Sequence, residues 1–267
     1  MVSKEIIEAC SEKLWQAEIT KTPVDVLTAA HPDLDEQDAY AIAAATLKRR
    51  QAHNNAQTVG FKLGYTSPAM RAQMNIARPN YGVLTTDHLL DSEGGQLDGL
   101  VPSNELMHPL VEPEISILIN RKIEGGNQTR QSILSHIEAV MPSLEVVDTR
   151  YKEYKFTLFD NISDNSSASR VVLGPPKKLS QVGDLRLSGV LLWTEGRCID
   201  NGIGANSMGD PLLSIVWLAN FLAEKEQAIP AGSIIMTGGL SKAHLAKPQQ
   251  SFVAEFGGLG VVKAHFA

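Results

Sequence analysis

Two glutamates, Glu112 and Glu114, stand two residues apart at the head of "LVEPEISILI" (Leu110 to Ile119), a run that otherwise reads as a buried strand. In a strand, residues two apart project from one face, so the two carboxylates share a side while Val111, Pro113 and Ile115 point the other way. Like charges that close raise each other's pKa unless a cation sits between them, and a hard divalent ion with oxygen ligands is the simplest such cation. The competing reading is an edge strand with two solvated glutamates, which Pro113 suits because proline is confined to edges and bulges. A third carboxylate, Glu145, lies inside the apolar run of "MPSLEVVDTRY". A glutamate there is costly unless it ligates a metal or is paired, with Arg150 or Lys152 as candidate partners. Three carboxylates suit Mg²⁺ or Mn²⁺. No histidine or cysteine has ligand spacing relative to them, which disfavours zinc.

Lys62, in "VGFKLGYTS", lies among apolar residues and glycines. It either snorkels to solvent or points into a site to bind an anion or handle a proton. "IIMTGG" ends a strand at Thr237-Gly238-Gly239, either a simple turn or a place where backbone N–H groups approach a ligand. His108, before Pro109, is the histidine nearest the carboxylates and reads as structural or as an acid or base. The phosphate-loop, G-x-S-x-G and H-E-x-x-H signatures are absent, and "NGIGANSMG" is not a dinucleotide fingerprint.

The elements that must position these groups fall into two textures. The first ~75 residues read as helical: Val2 to Ile19, a short piece around Val24 to Ala30, and a longer helix introduced by Asp35 with Asp38 three residues on. Short β-branched or alternating runs follow, at "QTVGFKLGYT", "NYGVLT", "VEPEISILI", "LEVVDT", "RVVLG", "LRLSGVLLWT", "SIIMTGG", "SFVAEF" and "GVVKAHF". They predict a mixed or antiparallel β-rich core. Two helices interrupt it, Thr129 to Met141 and a second capped by Asp210 with Pro211 at its first position. Tyr154 to Ser169 is long for a connection, and its aromatic residues predict an ordered loop.

At 267 residues the chain can bury a sizeable core without disulfides. Its two cysteines, Cys10 and Cys198, read as buried structural thiols in a reducing compartment. The N-terminus lacks a signal-peptide pattern, and the longest apolar run, Leu212 to Ala223, is too short to span a membrane, so a soluble cytoplasmic protein is expected. A net charge of -6 without a basic cluster argues against nucleic-acid binding.

Taken in order, "VGFKLGYTS", "PNYGVL", "HPLVEPEISILI", "PSLEVVDTRY", "DNISDNSSAS" and "IIMTGGLSKA" resemble the hydratase/decarboxylase branch of the fumarylacetoacetate hydrolase superfamily over nearly the whole chain. The resemblance implies an α+β fold: a β-rich core of mixed β-roll/sandwich type over residues 78–267, after a helical region, 1–77, that carries the first strand. It implies a Mg²⁺ (or Mn²⁺) cofactor on Glu112, Glu114 and Glu145, a catalytic Lys62, and 2-oxo-acid binding by Asn80, Ser167, Thr237 and Gly238.

Two activities share that scaffold, 2-oxopent-4-enoate hydration and 4-oxalocrotonate decarboxylation in meta-cleavage of aromatic compounds. The hydratases usually carry an acid in P-D-[FY]-G, where this chain has Asn80, and asparagine cannot act as a general acid or base. Loss of CO₂ from 2-oxohex-3-enedioate needs little more than electrostatic stabilisation and a proton donor. The expectation is therefore a Mg²⁺-dependent decarboxylase, with a hydratase or a non-catalytic partner subunit as rivals. A homo-oligomer, and a complex with the companion enzyme, are family expectations. Gly209-Asp210-Pro211 departs from the branch's usual G-H-P.

Overall fold

The computed structural model describes residues 1–68, 71–72, 76–90 and 98–267. Helices α1 (Lys4–Thr20), α2 (Leu27–Ala30) and α3 (Glu36–Asn54) form an N-terminal layer. Ser3 caps α1, and Asp35 and Asp38 form a reciprocal capping box on α3. Both long helices end in left-handed residues, Lys21 and Asn55. Leu14, Leu27, Leu34 and Ile42 close a small apolar cluster around Tyr151, a residue of the β-rich part.

Four residues after α3 the core begins, with strands running from Thr58 to Phe266. The larger sheet is mixed and eight-stranded. It is ordered β2 (Asn80–Thr85), β1 (Thr58–Gly64), β10 (Ile234–Met236), β5 (Leu110–Ile119), β6 (Ile137–Val147), β7 (Ala168–Leu173) and β3 (Leu89–Leu90), with β11 (His244–Leu245) also on β5. The second sheet is ordered β4 (Asp98–Val101), β13 (Gly260–Phe266), β12 (Ser251–Phe256), β8 (Gly189–Thr194) and β9 (Arg197–Ile203). Because β1 pairs with both β2 and β10, the larger sheet is continuous across residue 77. A mostly apolar helix, Pro211–Ala223, sinks Leu212, Ile215, Leu218 and Leu222 into the main core. Asp210 starts it by accepting from the Leu212 N–H at 2.9 Å.

Three expectations need correction. The helix over Thr129 to Met141 is a single turn, Arg130–Ile133, with a 3₁₀ extension to His136. From Ile137 the chain is strand β6, because Ile137 to Met141 pair with β5 and the residue before Pro142 is driven out of helical geometry. Nor is Pro113 on an edge. β5 is flanked by β6 along its length, while β10 reaches only Ser116 and β11 only Val111 on its other side. Pro113 falls in the gap between them, where its missing N–H costs nothing and its carbonyl accepts from Leu240 N at 3.0 Å. Lastly, Cys10 is buried but Cys198 is exposed on β9, a strand the sequence reading did not anticipate.

Candidate active site

The register of β5 against β6 builds the acidic cluster. Glu112 lies directly opposite Glu145 and Glu114 opposite Ser143, so the three carboxylates converge on one face. Ligand oxygens from all three lie within 4.8 Å of one another. Glu114 and Glu145 are buried, and Glu112 is partly exposed in a cavity wall. The gap beside Pro113 admits the turn at Gly238-Gly239, whose Gly238 N–H donates to Glu114 Oε2 at 2.8 Å. Glycine is required there. Gly238 has φ 104°, and a Cβ would stand 1.9 Å from Thr66 Oγ1, while one on Gly239 would stand 2.3 Å from Glu112 Oε2.

Lys62 is buried with the cluster and ion-pairs with Glu145 at 3.2 Å. Burial works to lower its pKa, but the three carboxylates, Glu145 foremost, outweigh that and hold it protonated above the usual lysine value. On the carboxylates burial acts the other way. Burial and the Glu145 charge push Glu112 up to about 7 against the pull of Lys62. Glu114 is raised well above the carboxylate range, first by burial and then by Glu145 and Glu112.

One lysine cannot neutralise three carboxylates. Glu114 Oε1 and Glu145 Oε1 are buried without a hydrogen-bond partner, and Glu145 Oε2 meets only the Lys62 ammonium. An all-oxygen donor set with orphaned, desolvated atoms fits a hard divalent cation such as Mg²⁺ or Mn²⁺. Among the described residues this is the one such His, Cys, Asp or Glu group.

The cluster lies beside a cavity of about 540 Å³. Lys62, Glu112, Ser166 and Ser167 line it beside an apolar wall of Leu110, Val147 and Phe156. Asp200 and Lys242 also line it, and Asp200 Oδ2 lies 2.7 Å from His244 Nε2. The Tyr154 to Ser169 segment supplies much of the wall and is ordered, as expected. It holds a short helix, Leu158–Ser163, followed by Asn165, Ser166 and Ser167 in succession at positive φ. Three non-glycine residues in that region cost on the order of 1 kcal/mol or more each unless the surroundings hold them. They are held here: the Asn165 amide bonds both backbone groups of Val83, at 2.7 and 2.9 Å, and Asp148 N donates to Ser167 O at 2.9 Å. Helix α2 contributes from outside, Thr28 donating to Asp160 through N and Oγ1.

Of the residues expected at the site, Glu112, Glu114, Glu145, Lys62 and Ser167 come together. Asn80 and Thr237 do not line the cavity. Thr237 is fully buried, with Oγ1 donating to Ile115 O at 2.8 Å. Asn80 is fully buried between Ser166 and Asn161. Gly238 is occupied with Glu114 instead of facing the cavity. Arg150, a candidate partner for Glu145, pairs with Asp164, and Lys152 pairs with Asp25. Thr66, Asn161, Ser166 and Asp200 went unnoticed because nothing in their spacing marks them, although "GYTS" and "DNSS" signalled hydroxyl-bearing turns. Asp210 lies away from the cavity, capping its helix and pairing with Arg130 at 2.6 Å.

A mixed sheet that gathers three carboxylates, two of them buried and one in a cavity wall, with a lysine beside them defines the donor set of a divalent-metal enzyme. The chain is 34% identical over 265 residues to 4-oxalocrotonate decarboxylase of Pseudomonas putida, covering 99% of this chain and 98% of that one. It is 31% identical over 260 residues to 2-keto-4-pentenoate hydratase of Paraburkholderia xenovorans, covering 97% and 94%. Among solved structures, the decarboxylase from Pseudomonas putida G7 complexed with magnesium and adipate superposes with a TM-score of 0.93 at 33% identity, covering 100% and 99%. Fumarylpyruvate hydrolase from Pseudomonas aeruginosa shares the fold more distantly, with a TM-score of 0.62 at 16% identity over 78% of this chain and 88% of that one. No family model matches. The chain belongs to the hydratase/decarboxylase branch of the fumarylacetoacetate hydrolase superfamily.

Proposed function

We propose that this protein is a Mg²⁺-dependent lyase that decarboxylates 4-oxalocrotonate (2-oxohex-3-enedioate) to 2-oxopent-4-enoate in meta-cleavage of aromatic compounds. The observation that carries the reading is the state of Asn80. The position where a hydratase of this branch usually has an acid holds a buried amide whose bonds to Ser166 and Asn161 are both made, so nothing there can activate water. The full-length likeness to decarboxylases supports the same reading.

Glu112, Glu114 and Glu145 would hold the divalent cation. When bound, it supplies Lewis-acid stabilisation of charge at the substrate's 2-oxo end. As the C5–C6 bond breaks and CO₂ leaves, its electron pair spreads through the adjacent double bond to that oxygen. A proton then quenches the dienolate and leaves 2-oxopent-4-enoate, which keeps its C1 carboxylate. Lys62, protonated and at the cavity wall, orients the 2-oxo acid and is the donor at hand. Ser167 binds the substrate, and Leu110, Val147 and Phe156 keep water from the reacting carbons. Asn80, Thr237 and Gly238 position these groups.

The second reading is a 2-oxopent-4-enoate hydratase, favoured by relatives of that name at comparable identity. Incubation with 2-oxohex-3-enedioate and Mg²⁺, with CO₂ measured, separates the two. Metal-dependent release is expected; water addition to 2-hydroxypenta-2,4-dienoate without CO₂ would refute the decarboxylase. No described helix is long and apolar enough to cross a membrane. Cytoplasmic location, a homo-oligomer and association with the companion hydratase complete the proposal.

A further inference from the structure

Behind the cavity wall, one line of hydrogen bonds runs from Lys62 to Asp164. Lys62 Nζ donates to Ser166 O at 3.0 Å and to Ser166 Oγ at 3.3 Å. Ser166 Oγ donates to Asn80 Oδ1 at 3.0 Å, and Asn80 Nδ2 to Asn161 Oδ1 at 2.7 Å. Asn161 Nδ2 donates to Ser167 Oγ at 3.1 Å, and Ser167 Oγ to Asp164 Oδ2 at 3.2 Å. Every member is buried.

The ends dictate the direction. An ammonium can only donate and a carboxylate can only accept, so each hydroxyl and amide between them has one permitted orientation. Asp164 is fixed in turn by the Arg150 guanidinium and by Thr149 Oγ1 at 2.7 Å. Asn80 occupies the middle, and only an amide there can accept from Ser166 while donating to Asn161. An ionised aspartate would present two acceptors and force Asn161 to turn over. Its oxygen would then face Ser167, whose single proton could no longer satisfy both Asn161 and Asp164.

We propose that Asn80 and Asp164 are positioning residues for Lys62, acting through this head-to-tail chain, which holds the ammonium between the carboxylate cluster and the cavity. The inference rests on the decarboxylase reading for its kinetic test but not for its structural one. Neither residue lines the cavity, so each should affect kcat far more than KM.

Asn80→Ala and Asp164→Asn are each expected to lower kcat for CO₂ release roughly 10-fold or more, because displacing a reacting group by about 1 Å is enough for that. KM and the dissociation constant for Mg²⁺ should stay within about 2-fold of wild type. Asn80 and Asp164 do not bond each other, so independent roles would multiply their losses, whereas one chain makes the double variant no worse than the poorer single. Thr149→Val, which removes the hydroxyl donated to Asp164 and, with it, the acceptor of a long bond from Tyr151 N at 3.3 Å, takes the place of Asp164→Asn if that variant does not fold. A crystal structure of Asn80→Ala should show Lys62 Nζ withdrawn from Ser166 O, and this stays readable if the wild type proves to catalyse another reaction. Unchanged kcat, multiplying losses, or an undisplaced Lys62 would overturn the proposal.

Discussion

Strands β5 and β13 each lie inside a sheet, yet they solve opposite problems. Along β13, buried Val262, Ala264 and Phe266 alternate with Lys263 and His265, which are exposed or half-exposed, so one face makes core and the other meets water. β5 is covered on both faces, and its glutamates meet no bulk water beyond the cavity. A two-faced strand buries its apolar residues on one side and leaves its polar residues hydrated on the other. A strand covered on both faces can carry charge only where partners have been assembled for it, and those partners come from β1, β6 and the Gly238 turn. Both sheets therefore make core, but only the larger one also carries a preorganised cluster of like charges.

Substitutions in the two regions should therefore separate activity from stability. The largest effect is expected from Glu114→Gln. It should lower Mg²⁺-dependent turnover on the order of 10²–10³-fold, comparable to loss of one preorganised electrostatic group. Glutamine can still accept from Gly238 N, so calorimetry in chelator should find the metal-free protein no less stable, with the Mg²⁺-induced rise in Tm abolished. Phe266→Ala should do the reverse, costing about 3–5 kcal/mol in denaturant unfolding while turnover per folded molecule stays near wild type.

Buried His88 gives an intermediate effect. Its Nδ1 accepts from Thr85 N at 2.9 Å, and burial followed by the Arg50 charge holds its pKa well below the usual histidine value. The unfolded chain then takes up the proton first. Stability is complete above about pH 6.5 and is lost as pH falls, by at most about 1.4 kcal/mol per unit until the folded pKa is reached. Melting curves at pH 7.5 and 5.5 should show a drop that is smaller in His88→Gln. The smallest effect is Asp210→Ala, about 1 kcal/mol for a lost helix cap, with kcat unchanged. A large kcat loss there would mean that the helix end reaches the site after all.

Much of this architecture is legible in the sequence. The capping residues Asp35 and Asp210 act on neighbours two or three residues away, so local sequence suffices to place those helices. Period-2 alternation likewise marked β12 and β13. It failed over Ile137 to Met141, where the spacing suits a helix but pairing with β5 decides for a strand. β9 was missed because its exposed, mostly polar residues leave no alternating signal.

The same division runs through the site. By itself the sequence determined that Glu112 and Glu114 share a face, that Glu145 sits in apolar company, and that their order with Lys62 and Thr237-Gly238 matches a family. Tertiary structure alone decided that Glu112 faces Glu145, that Lys62 answers Glu145 while Arg150 answers Asp164, and that Asn80 lies behind the wall instead of on it. The physical reason is range. Backbone periodicity fixes which way neighbouring side chains point, but which charges meet depends on the register of strands some thirty residues apart and on a loop a hundred residues away.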